Sequence, residues 1–214
     1  MSFDLGPQGS LHQTVQAVVT VLAVINPVVC GSIFVTLTRS MDSGTQRRAA
    51  VRVTLVILAI LVASALVGLA VLSAFGISLD VFRIVGGMIV AYMGFGMLSG
   101  RNQVGQAPPS ESDADASDAG GSLAPLIMFA AGPGTITAVV TLAAVHTPRG
   151  VPLTALTAAV VGTAATFGML LLAIRAGSRL DRSTQAFVTR FMGLIVASMG
   201  MQFVLAGLKA FLAT

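Results

Sequence analysis

The sequence contains few charged residues, a single cysteine and no tryptophan. Only 9% of its 214 residues are charged, whereas 55% are hydrophobic. Because soluble domains carry about 25% charged residues, this chain has too few to cover a globule in water, which excludes a soluble enzyme and a nucleic-acid-binding protein. The lone Cys30 excludes a disulfide framework and a thiolate metal site. The sequence also offers neither a nucleophile paired with a base nor a metal-binding cluster, so no catalytic residue, metal or cofactor is expected.

The chain is rich instead in long apolar stretches. Six stretches without any charge separate the clusters of charged residues, and each is long enough for the roughly 17–25 residues that a helix needs to cross a bilayer. We therefore predict an all-α membrane protein with six transmembrane helices, at about 13–37, 52–75, 80–99, 123–145, 151–174 and 188–211.

The connection 100–122 is the one long loop, and its prolines, glycines and acidic residues predict a flexible linker. It divides the chain into a first three-span repeat, 1–99, and a second, 123–214. Loops on the side that includes this linker hold nine arginines, whereas the opposite side has two arginines and one lysine. The positive-inside rule then places the linker in the cytoplasm and both termini outside.

The two halves match at a constant offset. Three positions at the end of the first repeat recur 107 residues later, namely Arg83, Gly86 and Gly100 as Arg190, Gly193 and Gly207. Because each copy has an odd number of spans, the second must run through the membrane upside down. We therefore predict two inverted three-helix repeats, an arrangement typical of secondary transporters.

Proline and glycine interrupt spans 1 and 4 close to their middles, at Asn26-Pro27 and at Gly132-Pro133-Gly134. Proline removes a backbone N–H group, and in hydrocarbon a broken helix is tolerated only where it is buried in protein or lines a wet cavity. The ends of such half-helices offer N–H groups to a carboxylate and carbonyls to an ammonium. We therefore predict spans 1 and 4 to be broken at mid-membrane and to bind a small zwitterion through these residues and three nearby hydroxyls, those of Ser32, Thr135 and Thr137. The alternative is a plain proline kink in which Asn26 bonds a freed carbonyl.

Three other polar residues each have two interpretations. Asp80 and Arg83 lie three residues apart at the mouth of span 3, where they form either a gate or a structural ion pair. Gln202, deep in span 6, either contacts substrate or joins helices. The pattern also leaves open a coupling ion, proton or sodium, and a homo-oligomer.

Five motifs together resemble the MarC family of six-span inner-membrane proteins. They cover nearly the whole chain except 100–122: Asn26 to Thr38, Phe75 to Ser78, Arg83 to Gly87, Ala131 to Ile136, and Arg190 to Gly207. The resemblance implies a bacterial inner-membrane protein related to small neutral amino-acid transporters and to LysE-type exporters. It also assigns Asn26-Pro27 and Gly132-Pro133-Gly134 to the family's two signature breaks. Many members have glycine and proline where this sequence has Val29 and Ser32.

Residues and resemblance together predict a secondary transporter or exporter of a small neutral amino acid or similar zwitterion, working by alternating access. Its partners would be the lipid bilayer and the small-molecule substrate, with no nucleic acid. The alternative from a different class is a non-transporting integral membrane scaffold or assembly protein that keeps the fold. The apolar run Val28-Val29-Cys30 favours this alternative, because it makes the first break drier than a solute site needs.

Overall fold

A computed structural model of the protein describes residues 7–100, 123–146, 152–176 and 182–213. Within these ranges every regular element is an α-helix: α1 (Pro7–Ile25), α2 (Pro27–Leu37), α3 (Ser43–Ala74), α4 (Leu79–Leu98), α5 (Ala124–Ala130), α6 (Pro133–His146), α7 (Leu153–Ala176) and α8 (Arg182–Leu212).

Six helical segments of the described chain are long and apolar enough to cross a membrane: His12–Leu37, Ser43–Ala74, Leu79–Leu98, Ala124–Ala144, Leu153–Arg175 and Ala186–Leu212. They confirm the predicted all-helical architecture with six spans. The predicted linker at 101–122 and the residues before Pro7 lie outside the described residues, so the division into two domains stays a prediction.

The second span begins earlier than its apolar pattern predicts, at Ser43 rather than near residue 52. Asp42 caps α3, because its carboxylate accepts hydrogen bonds from the backbone N–H groups of Gly44 and Thr45 and from the Thr45 hydroxyl. The first turns of α3 therefore lie before the apolar segment, and their arginines are exposed. A run of charge ends the hydrophobic stretch without ending the helix.

Glycines bring α4 and α8 close together along an antiparallel contact. Gly87 faces the backbone of Gly200, and Gly94 faces that of Gly193, so a step of seven residues up α4 matches a step of seven down α8. A Cβ at either α4 glycine would lie 2.7 Å from a carbonyl oxygen of α8. Because lipid tails are as apolar as the helices, such close backbone packing is what holds two helices together in a membrane.

The fourth span, made of α5 and α6, occupies the centre of the bundle. It is 72% buried, more than any other candidate span among the described residues. Helix α6 contacts α1, α3, α4 and α7, while α7 also packs on α1, α2 and α3. The largest buried cluster lies along these contacts and includes Phe34, Ile57, Leu61, Leu126 and Leu170. The interior is thus built around the two spans that carry the proline and glycine interruptions.

Candidate functional site

The first junction lies at Asn26, between the end of α1 and the start of α2. Asn26 has φ 53° and ψ 73°, which makes it the only non-glycine residue of the described chain with a positive φ. Asparagine is one of the few side chains that enter this left-handed region readily. Pro27 follows as the first residue of α2, where a missing N–H group removes no helical hydrogen bond. Helix α1 therefore ends before Asn26, and a new helix starts at Pro27.

The Asn26 side chain is buried and only partly satisfied. Its exposed fraction is 2%, and its Oδ1 atom accepts a 3.4 Å hydrogen bond from the Val29 N–H group. Its Nδ2 atom is buried and has no hydrogen-bond partner among the described residues. A buried polar group without a partner costs about 1–3 kcal/mol. Asn26 therefore does not bond a freed carbonyl, as a plain proline kink would require.

The second junction joins α5 to α6 through Ala131 and Gly132. A Cβ at Gly132 would collide with the Met128 carbonyl oxygen, so this turn requires glycine. Pro133, Gly134 and Thr135 are the first residues of α6, and the N–H groups at such positions have no partner within their helix. None of the described residues accepts a hydrogen bond from Gly134 or Thr135. The start of α6 therefore offers two free backbone donors.

Beside the second junction is a cavity of about 20 Å³, formed by α1, α4, α5, α6 and α8. It is lined by Val24, Val90, Met93, Met97, Phe129, Gly132, Gly134, Thr135 and Val196. The Val24 side chain reaches to 3.8 Å from the position that a Cβ of Gly134 would take, so the segments that hold the two junctions touch. A volume of about 10–15 Å³ is enough for one water molecule. In this conformation the cavity has room for water and not for an amino acid.

The predicted site residues divide into two groups. Gly132, Gly134 and Thr135 line the cavity, while Asn26 and Pro27 follow its lining residue Val24 along the chain. Ser32 and Thr137 donate to carbonyls of their own helices, at 3.2 Å to Val28 and 2.8 Å to Pro133. The Thr137 side chain also fills the space that a Cβ of Gly86 would need. Both hydroxyls are thus engaged within the protein.

The three remaining candidates lie away from this cavity. Asp80 and Arg83 form an ion pair of 3.5 Å at the start of α4, where the Arg83 side chain packs beside Gly207. The Nε atom of Arg83 is buried and has no partner among the described residues. Gln202 is exposed on α8, in a groove separate from the cavity.

Sequence reasoning missed the apolar walls of the cavity. Val90, Met93 and Met97 come from α4 and Val196 from α8, and in spans that are apolar on every face no pattern marks the side that turns inward. It also missed Thr141, which is buried one turn after Thr137 on α6 and whose Oγ1 atom has no partner among the described residues. Its spacing of four residues from Thr137 could have indicated it.

Comparison with known proteins gives a consistent result. A family model described as "MarC family integral membrane protein" matches residues 11–212. A UPF0056 membrane protein of Pyrococcus horikoshii is 31% identical, with 87% of this chain and 90% of the relative covered. A second UPF0056 membrane protein, from Methanocaldococcus jannaschii, is 30% identical, with 93% of this chain and 97% of the relative covered. The UPF0056 inner membrane protein MarC of Citrobacter koseri is 29% identical, with 92% and 94% covered. No solved structure matches the chain.

Proposed function

The chain belongs to the MarC family of integral membrane proteins, and from this premise we propose that it is a secondary transporter or exporter of a small neutral amino acid or similar zwitterion. One observation carries the proposal: the Asn26 amide is buried without a partner at the first junction, and the start of α6 offers two free N–H groups at the second junction. Unsatisfied buried groups and strained backbone cluster at ligand sites, because a ligand can supply the missing partner.

Both signs of a zwitterion have partners at the junctions. The free N–H groups of Gly134 and Thr135 lie at the positive end of the α6 dipole and suit a carboxylate. Pro27 has no N–H group to offer the carbonyl one turn before it on α1, and this carbonyl suits an ammonium. Neither interrupted span contains a charged side chain. A solute with no net charge is therefore the one that this environment accommodates at the lowest electrostatic cost.

Contacts between the two halves support an inverted repeat. A Cβ at Gly207 would lie 3.1 Å from Cβ of Arg83, and one at Gly100 would lie 3.5 Å from Nη2 of Arg190. Arg83 matches Arg190 and Gly100 matches Gly207 at the 107-residue offset. Replacing each residue by its match in the other half therefore turns one contact into the other. A two-fold axis in the membrane plane, between α4 and α8, has this property. In the proposed mechanism spans 1 and 4 lie on either side of that axis, and their interruptions lie at mid-membrane.

Transport requires the small cavity to enlarge and to open alternately to the two sides of the membrane. The present volume admits about one water molecule, so the proposal assigns this structure to a state in which the site is too small for an amino acid. The protein would be a multi-pass inner-membrane protein, as the Citrobacter relative's name describes, with the linker in the cytoplasm and both termini outside. The proposal includes no enzymatic activity and no nucleic-acid partner.

The second candidate is a membrane scaffold or assembly protein that keeps the fold without transporting. The observation that favours it is the cavity itself, which is small and lined mainly by Val, Met and Phe side chains. In that case Asn26 would shape the α1–α2 turn and bind no solute.

Counterflow of labelled glycine and alanine into liposomes that contain the purified protein separates the two candidates. We expect uptake by the wild type, and loss of at least tenfold in Asn26→Ala, because the partner group of the solute is removed. Thr36→Val is the matched control, since its exposed hydroxyl donates only to the Ser32 carbonyl of the same helix, and it should transport normally. Folded wild-type protein that moves no neutral amino acid would contradict the proposal and favour the scaffold.

A further inference from the structure

The outward face of α8 carries a groove of about 630 Å³ that contains a polar side chain. This α8 groove runs along α8 from Leu194 to Lys209, with Phe95 of α4 at one edge. Leu194, Met201 and Leu205 are exposed in it to between 43% and 60%. Gln202 is exposed among them, and none of the described residues donates to its amide or accepts from it.

The position of Gln202 along α8 places its amide in hydrocarbon. Lys209 follows it by seven residues, about 10 Å at the helical rise of 1.5 Å per residue. Arg190 and Lys209 lie about 28 Å apart by the same rise, which matches the roughly 30 Å thickness of the apolar layer. The amide thus lies about 10 Å inside the boundary that Lys209 marks. Lipid tails offer it no hydrogen bond, and an unsatisfied amide there costs several kcal/mol.

We propose that the α8 groove is the interface of a homodimer, in which Gln202 of one protomer bonds Gln202 of its partner. A side-chain amide has both donors and an acceptor, so two copies related by a two-fold axis satisfy each other. Two copies in one membrane have the same orientation, so the two α8 helices run parallel and equivalent residues meet at the same depth. The two Gln202 amides satisfy each other, so the interface needs no additional ligand.

The neighbours of Gln202 along the groove allow close approach. Ser198 and Ala206 lie four residues before and after it, on the same face, and both are small. The Ser198 hydroxyl already donates to the Leu194 carbonyl at 2.8 Å, so it brings no unsatisfied donor into the interface. Lys209 lies at the level of the lipid headgroups, where its long stem lets the ammonium group turn into water and away from its partner. This inference does not rest on the proposed transport function.

Disulfide crosslinking in native membranes tests the geometry. In a Cys30→Ser background, which removes the one native cysteine, oxidation of Ala206→Cys should give a disulfide-linked dimer. Ala164→Cys is the matched control, because it changes the same residue type at an exposed position of α7. Equal crosslinking at both positions, or none at Ala206→Cys, would overturn the proposal.

Single-molecule photobleaching of the full chain in liposomes, at increasing lipid dilution, tests the role of the amide. The wild type should bleach in two steps, and Gln202→Leu should raise the dimer dissociation constant by about tenfold, from the loss of two hydrogen bonds in hydrocarbon. Thr157→Val, which removes an exposed polar group of α7 bonded within its own helix, should leave it unchanged. A monomeric wild type, with or without a bound phospholipid, or an unchanged Gln202→Leu would refute the Gln202 contact.

Discussion

Substitution of Gly94 by alanine should destabilise the protein, because it adds a methyl group between two backbones. The methyl would lie 2.7 Å from the Gly193 carbonyl oxygen and closer still to the backbone of Ala197. Carbon atoms normally approach oxygen or nitrogen atoms to about 3.3 Å at closest, so the closer approach to the Ala197 nitrogen would force α4 and α8 apart by roughly one ångström. Neither obstacle is a flexible side chain that could turn away.

Overpacking of this kind costs about 1–3 kcal/mol. For a chain of this length each kcal/mol shifts Tm by about 2–4 °C, so Gly94→Ala should lower Tm by about 2–12 °C. The chain has no tryptophan, and circular dichroism at helical wavelengths in lipid nanodiscs is therefore the suitable assay.

Gly168→Ala is the matched control for this experiment. Gly168 lies within α7, and nothing comes within 4 Å of the position that its Cβ would take. The added methyl should raise helix stability by about 0.5–1 kcal/mol. A Gly94→Ala variant that melts with or above the wild type would refute the argument that α4 and α8 are held by backbone contact.

Three other substitutions have outcomes that the structure specifies. Gly132→Ala should abolish transport and lower Tm, because its Cβ would strike the Met128 carbonyl oxygen; Gly168→Ala should retain flux in the same liposome assay. Asp80→Asn should lower Tm by a few degrees at most and leave flux unchanged, as expected for the partly exposed structural ion pair with Arg83, whereas altered flux in folded protein would favour a gate. Asp42→Ala should lower Tm at neutral pH. Hydrogen bonds from Thr45 hold the pKa of the Asp42 carboxyl below its ordinary value, so this difference should be complete above about pH 4 and disappear as the pH falls through the folded pKa, as thermal melts at several pH values would show.

The spans could be predicted because charge and apolar length report directly on what a bilayer tolerates. Their ends were less predictable, since a helix ends where its hydrogen bonds end. The start of α3 shows this, because Asp42 caps the helix well before the apolar stretch begins.

The proline and glycine positions indicated where local structure would change, but not how. Pro27 explains why α2 starts where it does, whereas the left-handed conformation of Asn26 and its unpaired Nδ2 atom depend on what packs around the turn. The cavity walls depend on packing even more. Val90 and Val196 face inward because the glycines fix the rotation of α4 against α8, and a sequence shows such glycines without showing which residues they face.

The same rotation of α8 separates the proposed solute site from the proposed dimer interface. Val196 faces the cavity beside the second junction, whereas Gln202, about 120° around α8 from Val196, opens onto the exposed α8 groove. Gln202→Leu should therefore weaken the dimer without touching the solute site, and Asn26→Ala should abolish flux in protein that still dimerises. Loss of both properties in either variant would mean that the dimer contact sets the rotation of α8, and that the glycine contact with α4 is insufficient to do so. Measuring flux and dimer fraction on the same liposomes would therefore show whether a single protomer is the unit of transport.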